Sequence, residues 1–409
     1  MHDRLAPSME AQYSSKDRII DAVLGLWEDV GGTGLSVRTI ARAADVPVSS
    51  LYHHFGSLEQ LFVIAQDHAR LSAAAWRDRH LHGLQGARLD AMAFAPVFAA
   101  LVDDWACAQR RLAFAWREGQ QLAVRDPGFQ EGAMRWTHMW VDMWREIGAH
   151  FGLEDSGALT ARLFDSESFL HMINWRRMVD RAGLDEFARG WTAWLCGRAI
   201  PDAPFRDFAR AQAQREFPAL PERDETAGRI AAAAAAIVSR KGAGSMTHRA
   251  VAAEAGLTLG VVSHKFRTSA DLMRAAFDSL YLGNVPATGS AVAPVVDDHW
   301  SLGDLVQLLQ RSAASAGPEE LTIVVARDPS YRHFAAQLRY LRGRTSGRYL
   351  QAFLGPDHPI SELEAALFSG FLAGQIRAQL AAPGYQSPDR VHQELEQLLA
   401  LIARRVVSP

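Results

Sequence analysis

The residues Ser49 to Phe55, SSLYHHF, bring two serines, a tyrosine and two histidines into seven positions. Leu51 and Phe55 stand four apart, so on a helix they share one face, which must pack inward. Val48, Ser49, Tyr52 and His53 then point away from it. Hydroxyl, phenol and imidazole groups suit phosphate oxygens and base edges, and small side chains let a helix come close to bases. A short helix of this kind has the proportions of a recognition helix for the DNA major groove.

Other chemistry finds less support. His80 and His82, like the other scattered histidines, lack a third ligand at a metal-binding spacing. No Walker loop, dinucleotide fingerprint, nucleophile elbow or zinc deaminase signature appears. The pairs Asp103-Asp104 and Glu319-Glu320 read as solvated helix surface. No catalytic residue, metal or cofactor is expected, and the chain does not read as an enzyme.

The elements around SSLYHHF can be placed from their signals. A helix from about Lys16 to Val30 ends at Gly31-Gly32. Ser36 caps a short second helix, whose Val37, Ile40, Ala41 and Ala44 face one side. Asp45 follows at a tight turn that calls for a positive φ, and the third helix begins around Pro47. Elsewhere helical spacing recurs, as at Trp136, Trp140 and Trp144 or at Leu395, Leu398, Leu399 and Ile402, and no sustained alternation marks a sheet. The expected fold class is all-α.

A repeat organises the chain. Shifting by 211 positions lays Arg18-Ile19 on Arg229-Ile230 and His53-His54-Phe55 on His264-Lys265-Phe266, with no gap between. Later, Val124-Arg125-Asp126-Pro127 falls on Ala326-Arg327-Asp328-Pro329 at an offset of 202, and Arg135-Trp136 on Arg339-Tyr340 at 204. Matches in the same order at nearly the same offset point to duplication of the whole chain. The expected domains are 1–70 and 225–283 for two helix-turn-helix units, 71–205 and 284–409 for two larger helical domains, and a linker at 206–224, where prolines crowd.

The run from Arg18 to Phe62, with LSVRTIARAADVPVSSLYHHFGSLEQLF at its centre, resembles the DNA-binding domain of TetR-family transcriptional regulators. Arg229 to Met273 looks like a second, more divergent copy. The resemblance implies contacts to DNA from Ser36, Arg38 and Thr39 at the start of the second helix, and from Val48, Ser49, Ser50, Tyr52, His53 and His54 on the third. In the second copy it carries over to Thr247, Arg249, Leu259, Gly260, Ser263, His264 and Lys265. That copy departs from the pattern, with Ser263 for the tyrosine and Gly260-Val261 for the two serines. It is also the more basic, with seven Lys/Arg against four Asp/Glu from Glu225 to Tyr281, where Lys16 to Arg70 has five against seven. Arg240, Lys241, Arg249, Lys265 and Arg267 are thereby available to phosphates.

The family resembled adds a helical domain with a small-molecule pocket and dimerises through its last two long helices. Nine of the eleven tryptophans lie between Trp76 and Trp194. Trp105, Trp116, Trp140 and Trp144 are candidates to line an effector pocket, with His138, His171 or Asn174 to orient the ligand, or else to fill the core.

Length and composition set limits around this reading. The 409 residues suffice for two or three domains, and the net charge of −3 means that any nucleic-acid surface must be local. Cys107 and Cys196 are too few for a disulfide framework, and no signal-like segment opens the chain. The longest apolar stretch, Ala91 to Val102, carries Pro96 and reads as too short to span a bilayer. A cytoplasmic setting without a membrane partner is expected. The partners are double-stranded operator DNA and a small-molecule effector of unknown identity, with the chain acting as an intramolecular pseudo-dimer or as a homodimer. The rival reading is a small-molecule binding or catalytic helical protein whose helix-turn-helix units are vestigial.

Overall fold

The structure, a computed structural model, describes residues 14–32, 34–216, 221–284, 301–312, 317–356 and 358–404, and no strand occurs among them. The first half opens with α1 (Ser15–Asp29), α2 (Val37–Ala43), α3 (Val48–Phe55) and α4 (Leu58–Gly83), followed by α5 (Phe94–Asp103), α6 (Arg110–Arg125), α7 (Gln130–Ala149), α8 (Gly157–His171) and α9 (Arg177–Leu195). After α10 (Pro204–Arg215) the second half runs α11 (Glu225–Lys241), α12 (His248–Ala255), α13 (Leu259–Lys265), α14 (Ser269–Asn284), α15 (Leu302–Ser312) and α16 (Gly317–Arg327). It closes with α17 (Ala335–Tyr340), α18 (Arg344–Leu354), α19 (Glu362–Ala381) and α20 (Pro388–Ala403).

Similar local devices occur in both halves. Ser36 caps α2 and Thr247 caps α12, each accepting the amide three residues on, and Ser57 and Thr268 do the same for α4 and α14. Asp45, the only non-glycine residue with positive φ among the described residues, has φ 51°, and Gly256 at the matching turn has φ 64°. The Arg18 guanidinium donates to the Asp45 carbonyl, and Arg229 donates to that of Ala255. Asp126 and Asp328 each accept the amide two residues on and so start a 3-10 turn.

The halves meet chiefly where α8 packs on α19, with α9 and α20 beside them. A Cβ at Gly374 would collide with the Arg162 carbonyl oxygen, so these two helices cross with their backbones nearly touching. Buried side chains then pair across the crossing. Arg162 donates to Glu394 at 3.1 Å, and Arg377 to Asp165 at 2.7 Å. Trp175, Trp191 and Trp194 are buried, and Trp175 meets the Tyr340 ring at 5.8 Å.

Three expectations need correction. The segment expected as a linker, 206–224, is mostly helix: α10 buries Ala209 and Ala213 and packs on α9 and α17. Residues 217–220, with Pro218, lie outside the described residues. The apolar stretch from Ala91 extends past Val102 to Ala108, long and apolar enough on those grounds alone to cross a membrane. Here it is broken into a 3-10 turn, α5 and a π turn at Asp104–Ala108, with α5 packed on α8 and α9. Finally, the acidic pairs are not solvated surface. Glu320 is buried, Glu319 pairs with Arg377, and Asp104 accepts the Trp76 indole N–H at 2.6 Å. Each has a basic or N–H partner supplied by another helix, which sequence spacing cannot reveal.

Candidate nucleic-acid interface

In the first unit, Ile19, Ile20, Val23 and Trp27 of α1 are buried in one core with Ile40 and Ala41 of α2, Leu51 and Phe55 of α3, and Leu61 and Phe62 of α4. Burying Leu51 and Phe55 contributes roughly 2 kcal/mol each and sets the rotation of α3. That rotation leaves Val48, Ser49, Tyr52, His53 and His54 exposed on its outer side, with Ser50 half-buried. Tyr52 is 56% exposed, so its hydroxyl is open to solvent. Beside it, Ser36 and Arg38 are exposed at the start of α2, and the half-buried Thr39 hydroxyl bonds the Ser36 hydroxyl at 2.9 Å. Arg38 has no ion-pair partner among the described residues. None of the nine residues expected on this face is buried: all but Thr39 and Ser50 are exposed on, or at the cap of, α2 and α3.

The segment from α11 to α13 carries different chemistry. Val262 is buried where Leu51 is, and Thr247, Arg249, Leu259, Gly260, Ser263, His264 and Lys265 are all exposed. Two of the basic residues offered to phosphate are already matched: Lys265 pairs with Asp224, and Arg240 with Glu254 at 2.7 Å. Arg249 and Arg267 have no ion-pair partner among the described residues and remain for phosphate.

The candidate effector residues do not assemble into one site. Trp105, Trp116 and Trp140 are buried and meet ring to ring, with centroids 4.9 Å apart for Trp105–Trp140 and 5.1 Å for Trp116–Trp140. Trp144 packs on Phe98 and Phe164. His138 is exposed with its ring against Tyr385, Asn174 is exposed, and His171 is buried. The tryptophans fill space that four helices leave between them, which is the core reading.

An open cleft of about 820 Å³ lies elsewhere, between the end of α4, α5, the π turn and the start of α9. Sequence reasoning missed it, because its parts are far apart in the chain. Asp103 at its wall accepts from Arg177 at 2.6 and 2.8 Å and from His171 Nε2 at 2.7 Å. Burial pushes the Asp103 carboxyl up, but those hydrogen bonds and charges hold it well below the usual carboxylate range. Burial also lowers His171, which disfavours the charged ring.

The ligand atoms of Asp103, Cys107 and His171 all lie within 4.8 Å of one another. The hydrogen bonds argue against a metal there. Arg339 donates to His171 Nδ1 at 3.1 Å, so Nδ1 must accept and the ring proton sits on Nε2, the atom a metal would need. The Cys107 thiol is pushed up by burial and by Asp103, which disfavours the thiolate.

The described residues are all-helical and carry a helix-turn-helix whose third helix has an exposed face. Residues 19–63 match the family model described as bacterial regulatory proteins, tetR family. The match takes in α1 to α3 and the start of α4, with both the buried and the exposed faces of α3. No curated protein matches the chain.

Proposed function

We propose that the protein is a ligand-responsive transcriptional repressor in which one chain supplies two TetR-like units and pairs them as an intramolecular pseudo-dimer. The observation that carries this reading is a reciprocal pair of ion contacts between the halves. Arg327 of α16 donates to Glu118 of α6 at 2.7 Å, and Arg125 of α6 donates to Glu320 of α16. The four residues correspond under the 202-residue offset, so the second contact is the first with the halves exchanged. Such exchange is the mark of a two-fold, self-complementary interface, which ordinarily needs two identical chains. The packing of α8 on α19 supports the same relation.

Two recognition helices in one chain but with different outward residues, Val48-Ser49-Ser50 and Leu259-Gly260-Val261, suit an operator whose half-sites differ. Ligand response is supported by α4, one 26-residue helix with Leu61 and Phe62 in the DNA-binding core and His80 and Gly83 at the cleft. A ligand that favours one setting of α4 shifts the population toward or away from the DNA-binding geometry.

The test is selection of bound duplexes from a random pool at fixed salt, comparing the natural sequence with Arg38→Ala and Arg249→Ala. The expected result is a non-palindromic consensus whose two halves are lost separately in the two variants. A palindrome sensitive only to Arg38 means that two chains pair and the second unit is structural. Absence of any enrichment overturns the DNA-binding reading.

A further inference from the structure

The cleft has two unlike sides. Along α5, Pro96, Val97, Ala100 and Leu101 form an apolar wall, continued by Leu84 beyond α4. Opposite them α9 presents Arg177 and Arg181, one helical turn apart, with side chains 55% and 33% exposed. The two carboxylates at this end each have partners within the chain. Asp103 takes two hydrogen bonds from Arg177 and one from His171, and lies 3.8 Å from Arg181. Asp104 takes the Trp76 indole N–H at 2.6 Å and lies 3.5 Å from His80. Each guanidinium carries five N–H donors, of which these contacts and that of Arg181 with Asp185 use only a part. Arg177 and Arg181 therefore keep unused donors on this wall, while Asp103 has both its oxygens taken by Arg177.

We propose that this cleft binds an amphipathic carboxylate, its carboxylate taken by Arg177 and Arg181 and its apolar body laid along the α5 wall. The proposal rests on the ligand-responsive reading above and names its ligand class. The planar fork of a guanidinium matches a carboxylate in bidentate fashion, which a hydroxyl cannot reproduce. Arg177 can turn toward such a ligand without stranding Asp103, which keeps the His171 N–H. His171 is held in turn by Arg339, which also donates to the carbonyls of Leu170 and Ile173. One hydrogen-bonded chain thus runs from the cleft to a buried arginine of the second half at the end of α8.

The experiment is calorimetric titration of the full chain with decanoate, decanol and decyltrimethylammonium, with duplex affinity measured in parallel at each ligand concentration. Decanoate is expected to bind about tenfold or more tightly than decanol, a charge-assisted bidentate pair being worth that much. Arg177→Gln and the exposed-site variant Ala100→Glu are each expected to erase the preference, with far-UV circular dichroism confirming that both fold. Equal binding of decanol, tighter binding of the cation, or no binding of any probe overturns the proposal. Arg177-dependent decanoate binding without change in duplex affinity upholds the cleft and rejects ligand response. Duplex release by decanoate that persists in Arg177→Gln upholds ligand response and rejects this cleft as its site.

Discussion

Tyr52 shows how one residue divides between fold and function. Its neighbours Leu51 and Phe55 are buried, while its own ring is largely in solvent, so its hydroxyl contributes little to the folded state. Tyr52→Phe is expected to leave stability within about 0.5 kcal/mol of the natural protein by urea unfolding. Duplex affinity in a mobility-shift titration is expected to fall about three- to tenfold, the worth of one hydrogen bond. An unchanged affinity would remove Tyr52 from the interface. At this scale the first copy was legible, because a buried Leu-x-x-x-Phe pair fixes the rotation of a short helix whatever surrounds it. The roles of His171 and Asp103 were not legible: His171 became a core group because Arg339 reaches its Nδ1 from 168 positions further along the chain.

At the scale of elements, the crossing of α8 and α19 depends on a single missing side chain. Gly374→Ala places a methyl group against the Arg162 carbonyl, which belongs to backbone and cannot swing aside. The expected cost is about 1–3 kcal/mol in denaturant unfolding, or more if the helices cannot separate. Removing a charge here acts differently. Arg162→Met leaves the buried Glu394 with only Gln375 and Arg390 as partners, and the expected loss is about 3–5 kcal/mol. A loss below about 1 kcal/mol for either variant would show that the crossing is looser than described. The helices themselves were readable from apolar spacing and caps. α10 was misread as a linker because its prolines bracket it: Pro204 opens the helix, where the missing N–H costs nothing.

At the scale of the whole molecule, one of the reciprocal contacts between the halves carries a pH dependence. Burial pushes Glu320 up to about 7 despite Arg125, with the Glu118 charge adding to the rise. An acid whose folded value lies above its unfolded value stabilises the folded state when protonated. Its contribution is complete at low pH and is lost as pH rises from about 4.5 to about 7. Glu320→Gln is therefore expected to reduce the loss of stability across that window, by up to about 3 kcal/mol. Thermal unfolding of both proteins at pH 5 and pH 8 measures the difference, and parallel shifts in the two would refute it. The pseudo-dimer also predicts a single chain of 45.0 kDa bound per duplex, and a complex containing two chains would replace it with a homodimer.

The sequence by itself determined the helical class, the first helix-turn-helix and its outward face, the positive φ at Asp45 and the order in which similar segments recur. These follow from local rules: side-chain periodicity, capping and the steric cost of a turn act over a few residues and leave their mark in spacing. Only the tertiary structure decided that the tryptophans fill a core, that Asp103, His171 and Arg177 meet at a cleft, and that Arg125 and Arg327 exchange partners with Glu320 and Glu118. Those outcomes depend on which helix faces which between segments far apart in the chain, and spacing along the chain carries no record of that pairing.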